Sequence, residues 1–273
     1  MQVATQATTQ THYKWIPGRR PVLINVPHAG TFLPDDIAAA LTPAGKAMPD
    51  TDWHVTHLYT AALQMGCAML AATHSRIVTD LNRDPGGAAL YPGASNTEIC
   101  PVTTFSGEPI YQPGKVPDAF EIERRVRTYW QPYHDKLSAE VQLIKEKHGF
   151  CIVLDGHSIR SQVPRFFAGK LPDLNLGTAD GTSCDGRLAE KVFDHLKATP
   201  GFTTVHNGRF KGGYITRHYG RPEQNVHALQ LEIAQSCYMD ESQTACHDGA
   251  ASAPLRGVLS GLASLLCDWR PDP

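Results

Sequence analysis

The sequence predicts an α/β fold built on a largely parallel sheet, and three observations carry that expectation. Phe150-Cys151-Ile152-Val153-Leu154 is apolar without a break, the composition of a strand buried on both faces at the centre of such a sheet. Shorter apolar runs at 21–26 (PVLINV), 67–72 and 228–233 (ALQLEI) read as further strands. Between and after them lie helical patterns: Leu188, Val192, Phe193 and Leu196 share one side of a helix over 187–198, and 254–269 is an apolar helix suited to pack on the sheet. No repeat, low-complexity tract or linker interrupts the chain. Residues 20–273 are therefore expected to form one domain behind a loose arm, residues 1–19.

Bulk properties narrow the function classes. Of 273 residues, 41% are hydrophobic and 19% charged, enough to bury a sizeable core. A net charge of −2 gives no basic field for a nucleic acid. No apolar run approaches the ~18 residues of a membrane span, and the Thr- and Gln-rich start lacks a signal peptide's apolar stretch. Seven cysteines without CxxC spacing argue against both a disulfide framework and a zinc ribbon, and fit reduced thiols in the cytoplasm.

Taken in order, the run 21–26 ends at Pro27-His28-Ala29-Gly30, a histidine at a strand's carboxyl end with a glycine that permits a sharp turn. Asp50-Thr51-Asp52 precedes a helical spacing from Trp53 to Leu63; one acid caps that helix and the other is free to be a ligand beside His28. Residues 76–81 (RIVTDL) read as another strand, delivering Asn82 and Arg83 to a turn at Asp84-Pro85-Gly86-Gly87. An Asn-Arg pair there can bind a carboxylate. The Pro- and Gly-rich stretch 84–115 has the length of a lid or wall.

Asp118 with Glu121 marks a helix start, and Pro132 is expected to kink the helix that follows. His134 and His148 fall in or near that helix and are read as structural or exposed. Past the central strand, Asp155 and His157 are set at its carboxyl end, and Arg165 lies within reach of the same cleft. Residues 202–205 read as a strand, and 211–221, containing Arg217, as a mobile loop able to close over an anion. Glu232 sits inside an otherwise apolar run, which is costly unless the carboxylate is paired or functional.

Together these polar residues describe a metal hydrolase. His28, His157 and either Asp50 or Asp52 offer two imidazoles and a carboxylate, leaving a position open on one divalent ion, zinc first. Bound zinc lowers the pKa of water to about 7. Glu232 is then the general base and Arg76 a candidate to hold the oxyanion. The remaining arginines imply a small acidic substrate.

Several motifs together resemble the N-formylglutamate amidohydrolases: Pro27-His28-Ala29-Gly30, Asp50-Thr51-Asp52-Trp53, Ser75-Arg76 through Asp80-Leu81-Asn82-Arg83, Trp130-Gln131-Pro132-Tyr133-His134, Leu154-Asp155-Gly156-His157-Ser158, Gly212-Gly213-Tyr214-Ile215-Thr216 and Leu231-Glu232-Ile233. The resemblance runs in consistent order over roughly residues 20–245. It implies one catalytic domain that hydrolyses N-formyl-L-glutamate to formate and L-glutamate at the end of a route of histidine breakdown. It also implies a zinc carboxypeptidase-like three-layer α/β/α sandwich with a mixed, mainly parallel sheet.

In that wider group a His-x-x-Glu pair and a later His hold the metal. Here no glutamate follows His28 at that spacing, and Asp52 takes its place, with Asp50 second. Asn82 and Arg83 resemble the pair that binds a substrate's α-carboxylate, with Arg165 and Arg217 as further substrate-binding candidates. Two other functions fit the same residues: a carboxypeptidase-like or aspartoacylase-like hydrolase of another N-acyl amino acid, and a non-catalytic binder of acidic metabolites.

Overall fold

A computed structural model of the chain describes residues 11–88, 90, 96–243 and 249–272. Its strands are β1 (Tyr13–Ile16), β2 (Val22–Val26), β3 (Ala68–Ala72), β4 (Cys151–Ile159), β5 (Leu174–Gly177), β6 (Thr204–His206) and β7 (Val226–Ala234). They form one sheet in the order β1-β3-β2-β4-β7-β5-β6. The central pairings β3–β2, β2–β4 and β4–β7 are parallel, while β1 on β3 and β5 on β7 run antiparallel. The sheet is thus mixed and mainly parallel, as expected.

Helices cover both faces. In chain order they are α1 (Asp35–Ala38), α2 (Pro43–Ala47), α3 (Val55–Leu58), α4 (Thr60–Gln64), α5 (Ala119–Arg125), α6 (Gln131–His148), α7 (Gly186–Lys197), α8 (Tyr214–Tyr219) and α9 (Ala253–Asp268). Strand period sorts the core. Val22, Ile24 and Val26 of β2, with Ile152 and Leu154 of β4, pack under α3, α4, α7 and α9. Leu23, Cys151 and Val153 pack on the opposite face with Trp130, Tyr133, Leu137 and Val141 and with Ile215 and Tyr219 of α8. Burying a central strand on both faces is what demands its unbroken apolar sequence.

Several local expectations need correction. Residues 76–81 are buried turns, not a strand; Asp80 and Arg76 spend their polar groups on side chains rather than on a ladder. β4 does not stop at Leu154 but runs to Ile159, because β7 pairs with it residue for residue through His157↔Glu232 and Ile159↔Ala234. Residues 211–221 are not a mobile loop: α8 buries Ile215, Thr216 and Tyr219 against the sheet. Within the stretch expected to be a loose arm, residues 13–16 form edge strand β1; residues 1–10 lie outside the described residues. The strand expected at 202–205 is shifted to Thr204–His206, and β5 falls where no strand was expected.

The helix start at Asp118 is as expected, its side chain accepting from Glu121 N at 2.8 Å. Pro132 falls in the first turn of α6, where its missing N–H costs least. The wide π-helical turn Val126–Trp130 comes immediately before it and joins α5 to α6 with no non-helical residue between them. No helix among the described residues is long and apolar enough to cross a membrane.

Gly156 has to be glycine, since a Cβ there would lie 2.7 Å from the ring of the buried Tyr59. Gly156→Ala is expected to lower unfolding stability by about 1–3 kcal/mol through overpacking, read as a shift in denaturant midpoint with the slope unchanged.

Candidate functional site

The parallel pairing of β4 and β7 fixes the site. Alternation sends Asp155 and His157 of β4 to the same face as Gln230 and Glu232 of β7. β2 ends beside them and carries His28 just past its last residue. Asp52 arrives from the turn before α3, its backbone N–H donating to the carbonyl of His28 at 3.0 Å. All of these side chains are buried.

His28, Asp52 and His157 each offer a ligand atom within 4.8 Å of one another, a buried group that can hold a metal ion. Both rings are oriented from behind. Nε2 of His28 lies 2.7 Å from Asp80 Oδ1, and Nε2 of His157 lies 3.0 Å from Asp155 Oδ2. That leaves Nδ1 of each facing Asp52 Oδ2, at 3.7 Å and 3.1 Å. An imidazole backed by a carboxylate is the arrangement that makes a firm, basic metal ligand. The buried Asp52 Oδ1 has no hydrogen-bond partner among the described residues, so the carboxylate retains a lone pair to give. The donor set therefore fits a divalent cation.

Asp50 plays a different part: its Oδ2 accepts from Phe105 N at 2.9 Å, tying down the long loop. Burial pushes its carboxyl up to about 6, against the pull of Arg76.

Charges around the group compensate one another. Arg76 donates to Asp80 Oδ2 at 2.6 Å and lies 3.8 Å from Asp52 Oδ1. Burial works against ionising Asp80, but His28 and Arg76 overcome it and hold the carboxyl well below its usual range. Burial and Arg76 lower His28. His157 is raised despite its burial, by Asp155 and by its hydrogen bond to Asp52. Glu232 is pushed up to about 7, chiefly by burial, with His157 opposing and Asp52 adding to the shift.

A cavity opens over this group, lined by His28, Asp52, His157, Glu232, Gln230 and Arg76, with Phe105, Asn82, Arg83 and Arg209 around them. Asn82 is fixed: its Oδ1 accepts from Ile215 N at 2.8 Å, while Nδ2 lies 3.0 Å from His157 Nε2 and donates to Asp155 Oδ2 at 3.3 Å. Gly213 packs so closely on Asn82 that a Cβ would fall 2.3 Å from its side-chain nitrogen.

Two expected residues are placed elsewhere. Arg165 donates to Thr103 Oγ1 and Thr104 O, bracing the loop, and Arg217 lines a separate surface cavity with Asp84, Tyr214, His218 and Arg221. Neither is among the described residues lining the central cavity. His134 is structural, held by Leu81 O and Tyr219. Sequence reasoning missed Asp80, Gln230 and Arg209. Asp80 carried the same signal as Glu232, an acid inside an apolar run; Arg209 carried none.

A family model for N-formylglutamate amidohydrolase matches residues 20–239. The chain belongs to the N-formylglutamate amidohydrolase family. It is therefore a hydrolase acting on amide bonds. It is 44% identical over 252 residues to an N-formylglutamate deformylase of Pseudomonas putida, covering 92% of this chain and 94% of that one. Identity to an N-formylglutamate deformylase of Pseudomonas aeruginosa is 45%, with the same coverage. Among solved structures, an N-formylglutamate amidohydrolase from Ralstonia eutropha superimposes with a TM-score of 0.76 at 29% identity, covering 92% of this chain and 95% of that one. A gene product from Agrobacterium tumefaciens shares the fold, with a TM-score of 0.69 at 18% identity over 93% and 96% of the two chains.

Asp52 and Asp50 are separable by experiment. Asp52→Asn is expected to lose most of the metal retained after loading and desalting, while Asp50→Asn keeps it, both read by elemental mass spectrometry on folded protein.

Proposed function

We propose that this chain hydrolyses N-formyl-L-glutamate to L-glutamate and formate, with one divalent metal ion, zinc in the first instance, held by His28, Asp52 and His157. The observation that carries the reading is the carboxylate-backed His–Asp–His group beneath a cavity that also presents Glu232 and arginines. Relatives named for this reaction, matching nearly the whole chain, supply the substrate.

A zinc ion held there supplies Lewis acidity, polarising a carbonyl oxygen and lowering the pKa of water toward neutrality. Glu232 takes the proton of the attacking water and returns it to the amide nitrogen, so that L-glutamate leaves as the neutral amine. Its elevated pKa suits a group that must both accept and release a proton near neutrality. Gln230 holds it from beside, Nε2 donating to Glu232 Oε2 at 3.4 Å.

Arg76 lines the cavity, and its buried Nε has no hydrogen-bond partner among the described residues. That donor serves the oxyanion that develops as water adds to the formyl carbon. Arg83 holds the α-carboxylate of the substrate.

We place the activity in one catalytic domain over residues 20–273, at the close of a route of histidine breakdown. The six described cysteines are all free thiols, which suits a reducing cytoplasm.

Formate release from N-formyl-L-glutamate is expected to vanish when the protein is stripped by chelator and to return on adding zinc. N-formyl-L-aspartate and N-acetyl-L-glutamate serve as competitors; faster turnover of either would transfer the assignment to that substrate. Glu232→Gln is expected to retain metal and lose about 10²–10⁴-fold in kcat, and an unchanged kcat would remove Glu232 from the role of base.

A further inference from the structure

Asp52 sits where neither a helix nor a ladder holds the backbone, in the bend and turn over residues 51–54 just before α3. Its carboxylate must nevertheless stand in one place to face both histidines. Two side chains from the turn that follows β7 grip the chain on either side of it. Gln235 Nε2 donates to Thr51 O at 3.0 Å, and the Tyr238 hydroxyl donates to Trp53 O at 2.7 Å.

The same two side chains meet again at Ser158, the residue after His157 on β4. Gln235 Nε2 lies 3.4 Å from Ser158 Oγ, and the phenol oxygen of Tyr238 lies 2.8 Å from it. Valence fixes the directions of these bonds. A carbonyl can only accept, so the single phenolic proton of Tyr238 goes to Trp53 O. Ser158 Oγ–H then donates to the phenol oxygen, and its lone pair accepts from Gln235. The bonds form a ring from Thr51 O through Gln235, Ser158 and Tyr238 to Trp53 O, closed by the backbone of Asp52.

That ring joins the segment carrying Asp52 to the strand carrying His157. Inside it, Ser158 N donates to Asp52 Oδ2 at 3.2 Å, and His157 Nδ1 lies 3.1 Å from the same oxygen. Gln235, Tyr238 and Ser158 are buried, so a bond lost among them is not made good by solvent. Neither Gln235 nor Tyr238 is among the described residues lining the central cavity, so any influence on a bound ion passes through the residues they hold.

Partners that orient a metal ligand from behind decide much of how tightly the metal is kept. Resting on the metal site proposed above, we propose that Gln235 and Tyr238 are positioning residues for Asp52, holding its carboxylate against His157 before an ion arrives and so setting metal affinity.

The test uses Tyr238→Phe, which leaves the ring in its core cluster and removes only the hydroxyl, and Gln235→Met, which removes the donors. Each full-length variant is stripped by chelator, shown to be folded by circular dichroism, and titrated with zinc against a competing chromophoric chelator. Both are expected to bind zinc about 10- to 100-fold more weakly than wild type. A purely structural role would lower the unfolding midpoint of the metal-free protein and leave zinc affinity where it was.

Unchanged zinc affinity in either folded variant would therefore overturn the proposal. Gln235→Met decides the question by itself if Tyr238→Phe fails to fold. A wild type that binds no zinc would instead sink the metal reading, an outcome distinct from a zinc-binding wild type matched by its variants.

Discussion

Asp52, Asp80, Asp155 and Glu232 are all buried, and ionised carboxylates cannot be kept there without compensation. His28 and Arg76 share Asp80, one on each oxygen, while His157 sits between Asp52 and Asp155. That mutual dependence explains why a turn segment such as 76–81 is as deeply buried as a strand. It must bring Arg76 and Asp80 within hydrogen-bond distance of each other, and a strand, though it would keep them on one face, would hold them about 13 Å apart. It also explains the polar tail of β4: Asp155 is affordable inside a central strand because Asn25 Nδ2 donates to its Oδ1 at 2.7 Å and Asn82 to its Oδ2.

The same network divides labour between scaffold and chemistry. Tyr133 from α6 donates to Asn25 Oδ1 at 2.6 Å, so the helical layer supports Asp155 through a chain of hydrogen bonds. On the other side, Gly213 N donates to Gln230 Oε1 at 2.7 Å and Ile215 N to Asn82 Oδ1, which makes the start of α8 a bracket for two cavity residues. A site held by strands and buried helix ends has few soft coordinates, as precise chemistry requires.

What the sequence made legible was whatever depended on local composition. Apolar runs disclosed β2, β3, β4 and β7, and polar residues intruding on such runs disclosed His28, His157 and Glu232. Sequence reasoning ranked Asp52 above Asp50 without a physical ground for the order, because a difference of two residues in a turn depends on which carboxylate the histidines and which the Phe105 amide reach. The length of β4 was hidden for a similar reason: a strand through Asp155-Gly156-His157-Ser158 is stable only with β7 alongside. Arginines were the least readable. Long side chains leave sequence position a poor guide to where the charge ends up, and Arg165 and Arg217 turn away while Arg209 turns in.

The π-helical turn at Val126–Trp130 sets the phase of everything around it. An α-helix advances about 100° per residue, so one residue accommodated in a wider turn rotates the helix before it against the helix after it by about that angle. Just before it, Arg125 donates to Tyr111 of the long loop and to Val78 O of the buried turn; at its end, Trp130 donates to Arg83 O and stacks on His134. A regular helix of the same length could satisfy one set or the other. The turn thus works as a phase shifter, letting a single rod serve two surfaces out of register with each other, and any homologue that lost one residue there would have to re-route either its loop anchor or the backbone that carries Arg83.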